Sequence, residues 1–249
     1  MRNRLPPGLS AIIEVALMFA PALPAYLWLW PNVTATEWHT PAEVVTYAYF
    51  LICCLIIGLR RWNLGQLGVN RQGIGLSLGC GAIVIAIYLL GRLVTDLPLE
   101  LRPLTPNRLV RKIAFYFVLV GPIEELLFRG LIYRALEEWR GARWAVLGSA
   151  VAFGLYHIGW MGALGALVTA FIGLLFGAIR WRAGGIVGLA FVHGLLDVIA
   201  TEIDPGLTIK QVDQIHIVRP GFAILGDTLL LALLVFLWKS RRARPNKTV

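Results

Sequence analysis

Eight apolar runs, at roughly residues 9–30, 42–59, 73–94, 109–133, 142–159, 162–179, 184–200 and 222–238, leave this chain few ways to fold. Most reach the ~17 to 25 residues with which a helix crosses hydrocarbon. A segment in lipid must satisfy its backbone hydrogen bonds internally, which makes each run a helix. The expectation is an all-α, polytopic integral membrane protein of about eight transmembrane helices. It forms a single membrane domain over residues 1–249, with core helices that carry polar residues at about 109–200 and a basic tail at 239–249. Composition agrees: 58% of the residues are hydrophobic and 15% charged, against about half and a quarter in soluble domains.

The net charge of +9 would suit nucleic acid, so the placement of the basic residues decides. They alternate with the runs. Arg2, Arg4, Arg60, Arg61, Arg71, Arg134, Arg140, Arg143, Arg180, Arg182 and the tail residues Lys239, Arg241, Arg242, Arg244 and Lys247 fall on one side, whereas Arg102, Arg108, Lys210 and Arg219 fall on the other. The positive-inside rule then puts both termini in the cytoplasm, as an even number of spans requires. The partner is the lipid bilayer, with the tail on anionic headgroups, and no nucleic acid is implied. Cys53, Cys54 and Cys80 lie within runs and read as small core residues rather than a disulfide or thiol-metal set. The basic start followed by an apolar run resembles a signal peptide, but Glu14 interrupts it and it continues to Trp30, so it is read as the first helix.

Local signals refine the helices. Pro21 and Pro24 predict a kink in the first, and Trp28, Trp30 and Trp38 an aromatic belt where the chain leaves the membrane. Asn107 is the expected N-cap of the fourth helix. The short connection from His157 to Gly162 predicts an antiparallel hairpin of helices five and six, and Asp204-Pro-Gly206 a turn in the outer loop. Glu14, near a helix end, is expected to snorkel, and helices one to three carry no chemical pattern.

The fourth run does. Gly121-Pro122-Ile-Glu124-Glu125-Leu-Leu-Phe-Arg129 puts two adjacent carboxylates and a guanidinium in a segment otherwise fit for lipid, where each ionised group costs a few kcal/mol. Pro122 cannot donate to the preceding turn, so a break is expected just before Glu124. Counting from each helix's cytoplasmic end at ~1.5 Å per residue puts Glu124 about 15 Å deep, His157 about 20 Å, His193 about 14 Å and Asp197 about 20 Å. Four polar groups from three helices thus share one layer, while His39 and His216 fall in outer loops. Glu125 and Arg129, at i and i+4, form an ion pair. Glu124, rotated about 100° away, is left for chemistry. His193 and Asp197 are again at i and i+4, as are Phe153 and His157.

Ionised Glu124, Glu125 and Asp197 against Arg129 leave about two excess negative charges, which an apolar medium does not support. A protonated carboxylate, an imidazolium or a bound cation would neutralise them. Glu124, His157 and His193 are a reasonable set for a divalent metal such as Zn²⁺, without the HExxH spacing of soluble metalloproteases.

These residues, Glu124-Glu125-x-x-x-Arg129, Phe153-x-x-x-His157 and His193-x-x-x-Asp197 in an eight-helix protein, resemble the CAAX prenyl protease and bacteriocin-processing (CPBP, Abi) family of intramembrane endopeptidases. The likeness covers about residues 109–200. It implies a protease of a prokaryotic inner or plasma membrane, glutamate- or metal-dependent, that cuts a membrane-associated protein or peptide, whether or not it is prenylated. By the same likeness Glu124 and His157 activate water, His193 and residue 197 stabilise the oxyanion, and Glu125, Arg129 and Phe153 support them. Well-known members carry Asn at the last position, and an ionised Asp197 cannot donate a hydrogen bond as an amide does. The residues alone leave a second class open: a non-catalytic or proton- or ion-coupled membrane protein using the same buried network.

Overall fold

The computed structural model describes residues 5–20, 41–93, 105–203 and 220–239. The Pro21 and Pro24 kink, the tryptophans at 28, 30 and 38, His39, His216, the Asp204 turn and the tail beyond Lys239 lie outside the described residues. All regular structure among the described residues is helical, in eight rods. They are α1 (Pro7–Phe19), α2 (Pro41–Arg61), α3 (Ile74–Leu93), the composite α4 from residue 106 to 140, α5 (142–161), α6 (163–183), α7 (Val187–Val198, continued as Ile199–Ile203) and α8 (Pro220–Lys239). The stretches Val44–Arg61 and Met161–Ala183 are long and apolar enough to cross a membrane, and α1, α3 and α7 are shorter apolar helices. Large apolar side chains such as Leu17, Val45, Val118 and Leu167 are exposed while the charged Glu124, Glu125, Arg129 and Arg180 are buried. That inverts the soluble pattern.

α4 shows what Pro122 does. Its α-helical stretches Pro106–Ala114, Gly121–Glu125 and Tyr133–Arg140 alternate with π-helical stretches Phe115–Val120 and Leu126–Ile132. The expected break is therefore a widening of the helix on both sides of Glu124 and Glu125 rather than a sharp kink. π-type turns occur where the ordinary ladder is interrupted, often at functional sites. The start of α4 is capped by Thr105, whose side chain accepts from the Arg108 N–H at 3.3 Å, with Pro106 at the first helical position. Asn107 is thus inside the helix, because Pro106 already suits the position after the cap.

α5 and α6 form the expected hairpin, turned at Gly162, whose φ of 68° is open to glycine at little cost. α5 continues through His157, which is helical rather than part of the connection. A Cβ on Gly154 would fall 2.5 Å from the Ala166 carbonyl oxygen, and one on Gly173 would fall 3.0 Å from the Ala150 Cα, so small residues let these backbones touch.

The same device joins α4 to α7. A Cβ on Gly121 would lie 2.5 Å from the Ala190 carbonyl oxygen, and one on Gly194 2.9 Å from that of Tyr116. This crossing carries Glu125 to His193. Gly121→Leu is expected to push the helices apart and lower Tm by several degrees, as overpacking of about 1–3 kcal/mol does. Thermal melts checked against Gly75→Leu, where an added Cβ meets nothing within 4 Å, test this.

Two charges sit differently from their sequence reading. Glu14 pairs with Arg61 of α2 instead of snorkelling. Arg180, counted among loop cations, is 2% exposed; its Nε donates to the Arg129 carbonyl at 3.1 Å and its guanidinium lies in the space a side chain at Gly68 would fill. The reason is Gly68, whose missing Cβ and φ of 88° admit the arginine under the α2–α3 turn.

Candidate active site

The Glu-Glu segment is buried on every side: residues 123 to 131 are all buried, with Glu124 2% exposed and Glu125 and Arg129 fully enclosed. Arg129 Nη1 donates to Glu125 Oε1 at 2.8 Å, the i to i+4 pair expected. Its guanidinium also lies 4.2 Å from the Phe153 ring centroid, 5.2 Å from Phe176 and 5.9 Å from Phe128. Aromatic faces on three sides favour a planar cation over a more strongly hydrated ammonium.

Glu125 does more than balance Arg129. Its Oε1 also lies 2.9 Å from His193 Nδ1, across the α4–α7 crossing. His193 Nε2 in turn faces two carboxylates, Glu124 Oε2 and Asp197 Oδ2, each at 3.6 Å. The imidazole is therefore the hub of the site. Asp197 is no nearer to the ring than Glu124 and, with 27% of its side chain exposed, sits at the edge of the group. Glu125, rather than Asp197, makes the close contact that fixes the ring, because α7 presents Nδ1 to α4 and Nε2 to its own next turn.

His157 reaches the group from α5. Its Nδ1 is 2.7 Å from the Phe153 carbonyl oxygen, which can only accept, so that nitrogen carries the proton. The two histidines flank Phe153, whose ring centroid is 4.5 Å from that of His157 and 5.7 Å from that of His193. The structure thus brings Glu124, Glu125, Arg129, Phe153, His157, His193 and Asp197 into one buried neighbourhood.

One residue is added that the sequence did not single out. Tyr47, on α2, donates its hydroxyl to Glu124 Oε1 at 2.7 Å. A tyrosine in an apolar run is a signal of sorts, since a buried hydroxyl normally finds a partner. Tyr49 in the same run carries the same signal and bonds instead to the backbone of Met18, so sequence could not choose between them. Glu124 Oε2 is enclosed and has no hydrogen-bond partner among the described residues.

The suggested metal set does not fit as arranged. Among the described residues no group of three or more His, Cys, Asp or Glu side chains is placed to hold a metal ion. His193 turns both ring nitrogens toward carboxylates, and His157 turns Nδ1 toward a carbonyl.

The comparison with protein families bears on this geometry. Residues 106–199 match the family described as type II CAAX prenyl endopeptidase Rce1-like. The Rce1-like segment runs from the start of α4 into the last turns of α7, and so contains every polar group of the site except Tyr47. It coincides with the 109–200 region in which the motifs were found. No curated protein and no solved structure matches the chain. The Rce1-like family is a family of membrane proteases, in keeping with a buried polar layer inside an apolar exterior.

Proposed function

We propose that the protein is an intramembrane endopeptidase that hydrolyses a peptide bond of a membrane-associated protein or peptide of the prenylated CAAX type. The observation that carries this reading is the divided carboxylate of Glu124: Oε1 is held by Tyr47, and Oε2, buried and without a hydrogen bond among the described residues, faces His193 Nε2. Leaving a buried acceptor unpaired is costly, and a general base needs such a lone pair.

In the reaction, Glu124 Oε2 takes a proton from water as the water oxygen bonds to the peptide carbonyl carbon. His157, with its proton on Nδ1, offers Nε2 as a second acceptor for the same water. His193 lies among three carboxylates, an arrangement that suits an imidazolium with a donor on each nitrogen, and its Nε2–H stabilises the oxyanion, strongly so in a medium of low dielectric. Asp197 acts through His193 by helping to keep that ring charged, and so serves as a carboxylate where an amide is usual. Glu124 then passes the proton to the departing nitrogen as the C–N bond breaks. Both termini lie in the cytoplasm in this reading, with eight spans, and the bond is cut near the cytoplasmic half of the bilayer.

A proton-coupled protein would need acidic stations through the remaining depth. Among the described residues the buried carboxylates are Glu124 and Glu125, side by side. Purified protein in liposomes carrying a pH-sensitive dye, supplied with a farnesylated CAAX peptide, tests the two readings. Release of the residues beyond the prenylated cysteine without proton entry is expected. Proton flux with the peptide intact would overturn the proposal.

A further inference from the structure

Tyr47 lies outside the Rce1-like segment, yet it makes the one hydrogen bond that the Glu124 carboxylate has among the described residues. We infer that Tyr47 is a positioning residue for Glu124, fixing one carboxylate oxygen so that the other is aimed at the reacting water. The inference rests on the reading of Glu124 as general base and adds α2 to the machinery.

The torsion that swings a Glu carboxylate is broad and nearly two-fold, so the side chain alone does not choose which oxygen points where. A hydroxyl donating to one oxygen does choose. The contact is a charge-assisted O–H···O pair of ordinary length, among the stronger hydrogen bonds available. The hydroxyl is itself held in place. Tyr47 is 8% exposed, and its ring packs edge-on against Phe50, with centroids 6.2 Å apart, and against Phe115, at 5.9 Å. Phe115 opens the first π-helical stretch of α4, so the ring grips the strand of backbone that leads to Glu124. Phe50 packs further on Tyr156, beside His157. Without the hydroxyl, both oxygens of Glu124 would lack a hydrogen-bond partner among the described residues and the carboxylate would be free to turn.

Tyr47→Phe removes the hydroxyl and keeps the ring. The expected result, in liposomes with the farnesylated peptide, is a kcat lower by about ten-fold with KM within about two-fold of the wild type, since the hydroxyl does not touch substrate. Tyr49→Phe removes a hydroxyl from the same helix that donates to the Met18 backbone and not to Glu124, and is expected to leave kcat near the wild-type value. The inference is overturned if Tyr47→Phe keeps the wild-type kcat, or if Tyr49→Phe loses as much kcat as Tyr47→Phe, which would make the effect one of α2 as a whole rather than of the bond to Glu124. Those outcomes leave the role of Glu124 standing. Failure of the wild-type protein to cleave would remove that role instead.

Discussion

Replacing Glu124 with Gln should lower kcat by about a thousand-fold, the scale of a lost general base, while the protein remains folded. Gln preserves the shape of the side chain and still accepts from Tyr47, so the geometry around His193 survives. What it loses is the proton-accepting oxygen that lies 3.6 Å from His193 Nε2. Stability should not fall. Glu124 is one of three carboxylates around a single histidine and a single paired arginine, so neutralising it relieves negative charge in a layer that supports charge poorly. Steady-state cleavage and thermal melts of the same preparation check both halves. A folded Gln variant with wild-type kcat would contradict the role given to this carboxylate.

Arg129→Ala should do the opposite, removing the fold and activity with it. The guanidinium and Glu125 are both fully enclosed and hydrogen-bonded at 2.8 Å. Deleting one partner of a buried pair costs about 3–5 kcal/mol because the other charge stays behind, a large share of the 5–15 kcal/mol that stabilises a typical protein. Here the loss is compounded by a cavity among Phe128, Phe153 and Phe176, whose rings surround the cation. The sign of the charge effect can be isolated. Arg129→Met combined with Glu125→Gln removes both charges and fills much of the volume, so it should melt well above Arg129→Ala, although Glu125→Gln weakens the hold on His193 and activity should stay low. An Arg129→Ala protein with unchanged Tm would show that the pair is dispensable to the fold.

How much of this was readable beforehand follows from what each contact depends on. Contacts within one helix were legible: Glu125 with Arg129 and His193 with Asp197 sit at i and i+4, and the helical repeat alone brings them together. The hairpin of α5 and α6 was legible too, because a short glycine-ended connection leaves few alternatives. Contacts between helices were not. Tyr47 and Glu124 are 77 residues apart, and Glu125 and His193 are 68 apart; their meeting depends on how closely Gly121 and Gly194 let α4 approach α7. Arg180 shows the same limit from the other direction, since its place in the sequence is that of a loop cation and only the space above Gly68 makes it a buried one. Pro122 announced a break in α4, but its π-helical form depends on packing on both faces.

The most direct test of Glu124 as the base of an intramembrane protease compares the C-termini of membrane proteins, by mass spectrometry, in cells producing the wild-type protein and in cells producing Glu124→Gln at equal levels. At least one shortened C-terminus is expected that is present with the wild type and absent with the variant. Identical C-termini in the two populations, with both proteins folded in the membrane, would contradict it.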